Sequence, residues 1–193
     1  MRVENPLGSF DPAKLAHFEK ENYVAYYQKD WPNLLRVSIG MVKESFALSL
    51  WNATLGAYLV ARAEIAFAPF PENDVPLAEA YTRRFYQMIK NIHHTGFDVE
   101  RISKLEVNWW SVHRKLFGNS DNEELVVALV DLYSEAYGKK STMLTDAARE
   151  RAKGMLYSDL WVNVGKPQNS PLLQQEEEAL YKSYVLLKEA IAS

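Results

Sequence analysis

The amino-acid sequence predicts an all-α fold: a single-domain bundle of about seven helices joined by short antiparallel connections. Cap-plus-proline signatures recur at Asp11-Pro12, Asp30-Trp31-Pro32 and Ser170-Pro171. Apolar residues return at steps of three or four along most of the chain, with no strand-like alternation of useful length and no internal repeat. With 193 residues, 48% of them apolar, the chain can bury a substantial core as one domain spanning residues 1–193.

Asp11 caps a first helix with Pro12 in its first turn, reaching about Lys29. Asp30-Trp31-Pro32 restarts the chain, and the helical pattern then runs to Ala68, too long for one straight helix in a domain this size. A break is expected near Ser49, which caps the second half, and Pro69 and Pro71 end it. Asn73-Asp74 with Pro76 opens the next helix, which continues to His94 and stops at Gly96. Asp98 caps the following helix and Gly118 ends it. Ser120-Asp121-Asn122-Glu123 has capping-box spacing for a helix closing at Tyr137-Gly138. Another helix spans about Thr142 to Asn163, and Ser170-Pro171 starts the last, which reaches nearly to Ser193.

The charge balance of 22 basic and 25 acidic residues leaves no cationic surplus to neutralise a phosphate backbone, so nucleic-acid binding is not expected. No cysteine is present, which excludes disulfides, thiolate metal sites and cysteine nucleophiles. Asn52, Thr54, Arg62 and Glu64 interrupt the longest apolar-rich stretch, so no membrane span is expected. The N-terminal MRVENPLGSF lacks the apolar core of a secretory signal, and a cytoplasmic location is the expectation.

The stretch Ile102 to Phe117 carries the main functional clue. At about 100° per residue, Lys104, Asn108, Ser111 and Lys115 share one arc and form the solvent face. Opposite them lie Ile102, Leu105, Trp109, Val112, Leu116 and Phe117, and at the centre of that arc Glu106 and His113. Ionisable groups facing a core must be paired, neutralised or used.

The helix from Leu50 to Ala68 is apolar almost all round, a pattern expected at the centre of a domain. Glu64 projects there from a line formed by Ala53, Ala57, Ala61 and Ala68 that would admit another helix closely. Arg62 lies about 160° away and cannot serve Glu64, so a partner is expected from another helix: His113, Arg114, or one of Arg83, Arg84 and His93.

Three readings of this cluster compete. In the first, Glu64, Glu106, His113 and an arginine satisfy one another as a structural network inside an interaction module. In the second, Glu64, Glu106 and His113 hold a single iron, manganese or zinc ion. No histidine stands in Glu-x-x-His spacing, and Glu106 and His113 are separated by a rise of roughly 10 Å, which argues against a ferritin-type di-iron centre and for no assigned metal ligand. The third, taken as the working hypothesis, is a small-molecule pocket, enzymatic if it turns over its ligand. His113 is then base or ligand, Glu106 acid or orienter and Glu64 the second carboxylate. Arg114 anchors an anion, with Trp110, Tyr86 and His93 lining the pocket. No dinucleotide, nucleotide-triphosphate or serine-hydrolase motif occurs, and no particular cofactor is indicated.

In the last helix, Leu173, Leu180, Tyr184, Leu187 and Ile191 form a seam near heptad spacing. The seam either packs on its own domain or, if exposed, builds the homodimer that completes the expectation. The macrodipole explains the acidic run Glu176 to Glu178 without a partner.

Overall fold

The computed structural model describes residues 6–193. The first five residues, part of the segment read for a secretory leader, lie outside the described residues. A short 3₁₀ turn, Pro6–Gly8, precedes eight α-helices: α1 (Pro12–Gln28), α2 (Trp31–Ser45), α3 (Leu50–Phe67), α4 (Val75–His93), α5 (Val99–Lys115), α6 (Glu123–Tyr137), α7 (Ser141–Asn163) and α8 (Pro171–Ala192). The count is eight because the long segment after Asp30 divides into α2 and α3, as the break near Ser49 implies. No strand occurs among the described residues, and none of their helices is long and apolar enough to cross a membrane.

Most caps work as their side-chain chemistry dictates. Asp11 accepts from the amides of Ala13 and Lys14, Ser49 from Asn52, Asp74 from Leu77, Asp98 from Arg101 and Ser170 from Leu172. Two stop or start signals act differently. α4 ends at His93, one residue short of the expected His94, and His94 itself rather than Gly96 takes the left-handed conformation at φ 53°. α6 begins at Glu123 with no side-chain cap bond, because the Asn122 amide group reaches away to the Ala152 carbonyl at 3.3 Å.

Each helix packs on the next, and α8 returns onto α1 to close a ring. Two large apolar clusters fill it, with a smaller third of Ala63, Phe67, Ala78 and Val107. One joins α1, α6, α7 and α8 through residues such as Leu15, Leu129, Leu144 and Leu187. The other joins α3, α4 and α5 through Ala53, Phe85, Ile89 and Ile102, with Val42 of α2. Trp109 and Tyr137 pack against both clusters, so the polar stripe of α5 lies where the halves meet. The longest seam, α7 against α8, is close because Gly154 carries no side chain: a Cβ there would stand 3.0 Å from Leu180. Leu180, Tyr184, Leu187 and Ile191 are buried within this chain, so the α8 seam is spent on its own domain.

Two expectations are corrected. α3 is not central: it is a wall helix whose inner side carries Ala53, Gly56, Leu59, Ala63 and Phe67 and whose apolar outer side is open to solvent. The acidic run of α8, expected to need no partner, has one. Glu176 is only 1% exposed, and Glu177 pairs with Lys20 at 2.7 Å and His17 at 3.2 Å.

Candidate functional site

α5 presents Glu106 and His113 inward, as its spacing requires, but they serve different neighbours. Glu106 Oε2 accepts the Tyr86 hydroxyl at 2.5 Å and Oε1 accepts the Trp109 indole N–H at 2.9 Å. Both oxygens are therefore used, and the carboxylate ties α4 to α5. Burial, reinforced by Glu106, keeps the Tyr86 phenol protonated well above its usual range.

Two turns on, His113 Nε2 lies 3.1 Å from Asp159 Oδ2 of α7. Asp159, 2% exposed, also accepts the Tyr23 hydroxyl of α1 at 2.7 Å and the Gly118 amide at 2.9 Å. Burial first, and the Asp159 charge second, push the Tyr23 phenol strongly up; Tyr27 behind it is raised by burial as well. Asp159 was missed at the sequence level, although it sits on a recognisable line: Leu144, Ala148, Ala152 and Met155 precede it at helical steps and all are buried.

A second missed network lies across α1, α7 and α8. Arg151 pairs with Glu19 at 2.9 Å and donates to the Tyr133 hydroxyl at 3.3 Å. Its guanidinium stands 5.2 Å from the Trp109 ring centroid, and Tyr184 donates to Glu19.

The structure does not bring Glu64, Glu106, His113 and an arginine into one hydrogen-bonded cluster. His93 is occupied with the Phe46 carbonyl at 2.7 Å, closing the corner between α2 and α3. Trp110 packs edge-on against Phe67, ring centroids 5.6 Å apart. Arg83 pairs with Glu100 at 2.9 Å, Arg84 stands 5.6 Å from the Tyr81 ring, and Phe117, placed on the core face by its spacing, is exposed. Among the described residues, no three His, Cys, Asp or Glu side chains converge closely enough to hold a metal ion.

Glu64 and Arg114 are left. Glu64 makes no hydrogen bond or ion pair among the described residues, contrary to the expected helix-to-helix partner. Part of its surface remains open to water, yet surrounding protein is dense enough that burial, with the nearby charge of Glu106, pushes its carboxyl up to about 7. Solvent therefore reaches its side chain in the last turn of α3. Arg114 caps the last turn of α3, the turn that begins at Glu64. Its Nη2 donates to the Phe67 carbonyl at 2.9 Å, and its guanidinium lies 3.9 Å over the Phe67 ring. Its Nη1 is buried with no partner, and no carboxylate pairs with the side chain. The unpartnered Nη1 of this guanidinium can hold an anionic group, and the raised carboxyl of Glu64, in the same last turn of α3, can give or take a proton near neutrality.

Two open grooves lie elsewhere. One, of about 630 Å³, runs along α4 and α5 beside Glu79, Asp98, Lys104 and Ser111. The other, of about 430 Å³, lies between α1 and α8 beside Lys20, Gln28, Gln174 and Glu177. Their charged side chains face solvent, and neither groove includes the interior polar groups.

The fold and its polar interior define a ring of eight helices stitched by buried carboxylates. Compared with known proteins, the chain matches no family model, no curated protein and no solved structure.

Proposed function

We propose that the protein binds a small organic molecule bearing an anionic group at the C-terminal end of α3. The observation behind this reading is the buried Arg114 Nη1, which has no hydrogen-bond acceptor among the described residues. Glu64 supports it as a second group without a protein partner, one turn away on α3. The Phe67 and Trp110 rings supply an apolar wall. Glu106 and Tyr86 back the wall as structural groups, since their hydrogen bonds are already made within the chain.

The Asp159–His113 pair favours an enzymatic form of the same reading. A buried carboxylate that fixes one imidazole nitrogen leaves the other for proton transfer, and His113 would then be the base with Glu64 the acid. Binding and turnover separate experimentally. Arg114→Gln is expected to abolish binding and leave the far-UV circular dichroism unchanged. His113→Gln is expected to leave binding intact and to remove turnover. Undiminished binding by a folded Arg114→Gln variant would sink the proposal.

A further inference from the structure

The outer side of α3 is an apolar face that the described residues leave uncovered. Trp51 is 79% exposed, Ile65 64% and Tyr58 51%, and these three recur every seven residues along one line. Thr54, Ala61 and Ala68, also exposed, form a second line with the same spacing, three residues on. One column is thus large and the adjacent column small. Both stay on one face of the helix, because seven residues are close to two turns.

We propose that this face is the contact surface of a homodimer in which two copies of α3 pack antiparallel. Such a surface complements itself. In an antiparallel pair, each layer sets a residue of the large column beside one of the small column from the other copy, so bulk meets space along the whole contact. A parallel pair would instead stack Trp51 on Trp51 and Tyr58 on Tyr58, with undersized layers between them.

The area is sufficient for a stable dimer. Trp51, Tyr58 and Ile65, with Leu50 and Leu55 at 65% and 43% exposure, leave on the order of 550 Å² per copy, taking about 200 Å² for an aromatic side chain and somewhat less for an aliphatic one. The pair would bury roughly 1,100 Å², which clears the ~1,000 Å² expected of a specific interface. Arg62 lies at the edge of this face, where its Nη1 donates to the Tyr58 hydroxyl at 3.1 Å and its guanidinium stands 4.9 Å from the Tyr81 ring. The buried α8 seam has no part in this interface.

The test is analytical ultracentrifugation of the full chain at micromolar concentration, for the wild type, Ala61→Arg and Val127→Arg. Ala61 is exposed in the middle of the small column, and Val127 is exposed on α6. The expected result is a wild-type species at twice the 22.2 kDa chain mass. Ala61→Arg is expected to associate about thirtyfold or more weakly, the size of a hot-spot loss, with unchanged circular dichroism, and Val127→Arg to remain dimeric. A wild-type monomer overturns the proposal, whether or not it floats with phospholipid vesicles. A dimer indifferent to Ala61→Arg overturns it as well. If Ala61→Arg alters the circular dichroism, Tyr58→Ser at the exposed large column is the second variant, with the same monomeric outcome expected.

Discussion

Asp159 of α7 holds His113 of α5 at 3.1 Å, and the same carboxylate oxygen accepts the amide of Gly118, whose φ of 71° carries the chain out of α5. One buried group thereby fixes an imidazole, a helix exit and, through Tyr23, the packing of α1. Asp159→Ala leaves three donors without an acceptor, and the expected loss in urea unfolding is about 3–5 kcal/mol. A loss below about 1 kcal/mol would show that the junction does not depend on this carboxylate.

Glu106 is expected to behave as a structural group. A glutamine there offers one carbonyl to two donors, Tyr86 and Trp109, so Glu106→Gln should cost about 1–3 kcal/mol and leave ligand affinity nearly unchanged. Parallel denaturation and calorimetric binding measurements check this. A lost ligand site with full stability would return Glu106 to a direct functional role.

The stability of the fold should fall as pH rises from about 4.5 to about 8. Burial pushes the Glu176 carboxyl up to about 8, and one of its oxygens has no partner. The folded state therefore binds more protons than the unfolded state within that window, and its stability is fullest below the ordinary carboxylate pKa. Glu176→Gln removes the ionisation. At pH 9 the variant should exceed wild type by an amount on the order of a few kcal/mol, and the difference should vanish below pH 4.5. Chemical denaturation at several pH values gives the comparison, and a wild-type stability that rises across the window would contradict it.

Glu64→Gln should flatten a shallower pH dependence between about 4.5 and 7, with the same sign, since its carboxyl is likewise raised. Water reaches Glu64, so the effect should be smaller than at Glu176. Denaturation of the two single variants across that pH range decides between them, and a larger change at Glu64 would place that carboxyl deeper than its solvent exposure implies.

Much of the helix order was readable because caps are local chemistry: Asp11, Ser49, Asp74, Asp98 and Ser170 each bond an amide two or three residues ahead. The inward placement of Glu106 and His113 was readable for the same reason, helical period. Their partners were not, since Asp159 lies 46 positions beyond His113 and reaches it only once the ring closes. Glu64 was read as buried because alanines surround it in sequence. An alanine line shows which residues allow close approach, not which side a neighbouring helix takes, and in α3 the outer half of that line faces solvent. Arg151 hid among Ala147, Ala148 and Ala152 in a segment dense with surface charges, where a lone arginine gives no local sign of burial.

The most direct measurement is native mass spectrometry of the untagged protein beside Arg114→Gln, each compared with its denatured mass. The proposal expects wild type to carry excess organic mass that denaturation releases, and Arg114→Gln to carry none. Equal excess mass on both proteins, or a bare 22.2 kDa chain mass per subunit for wild type, would contradict it.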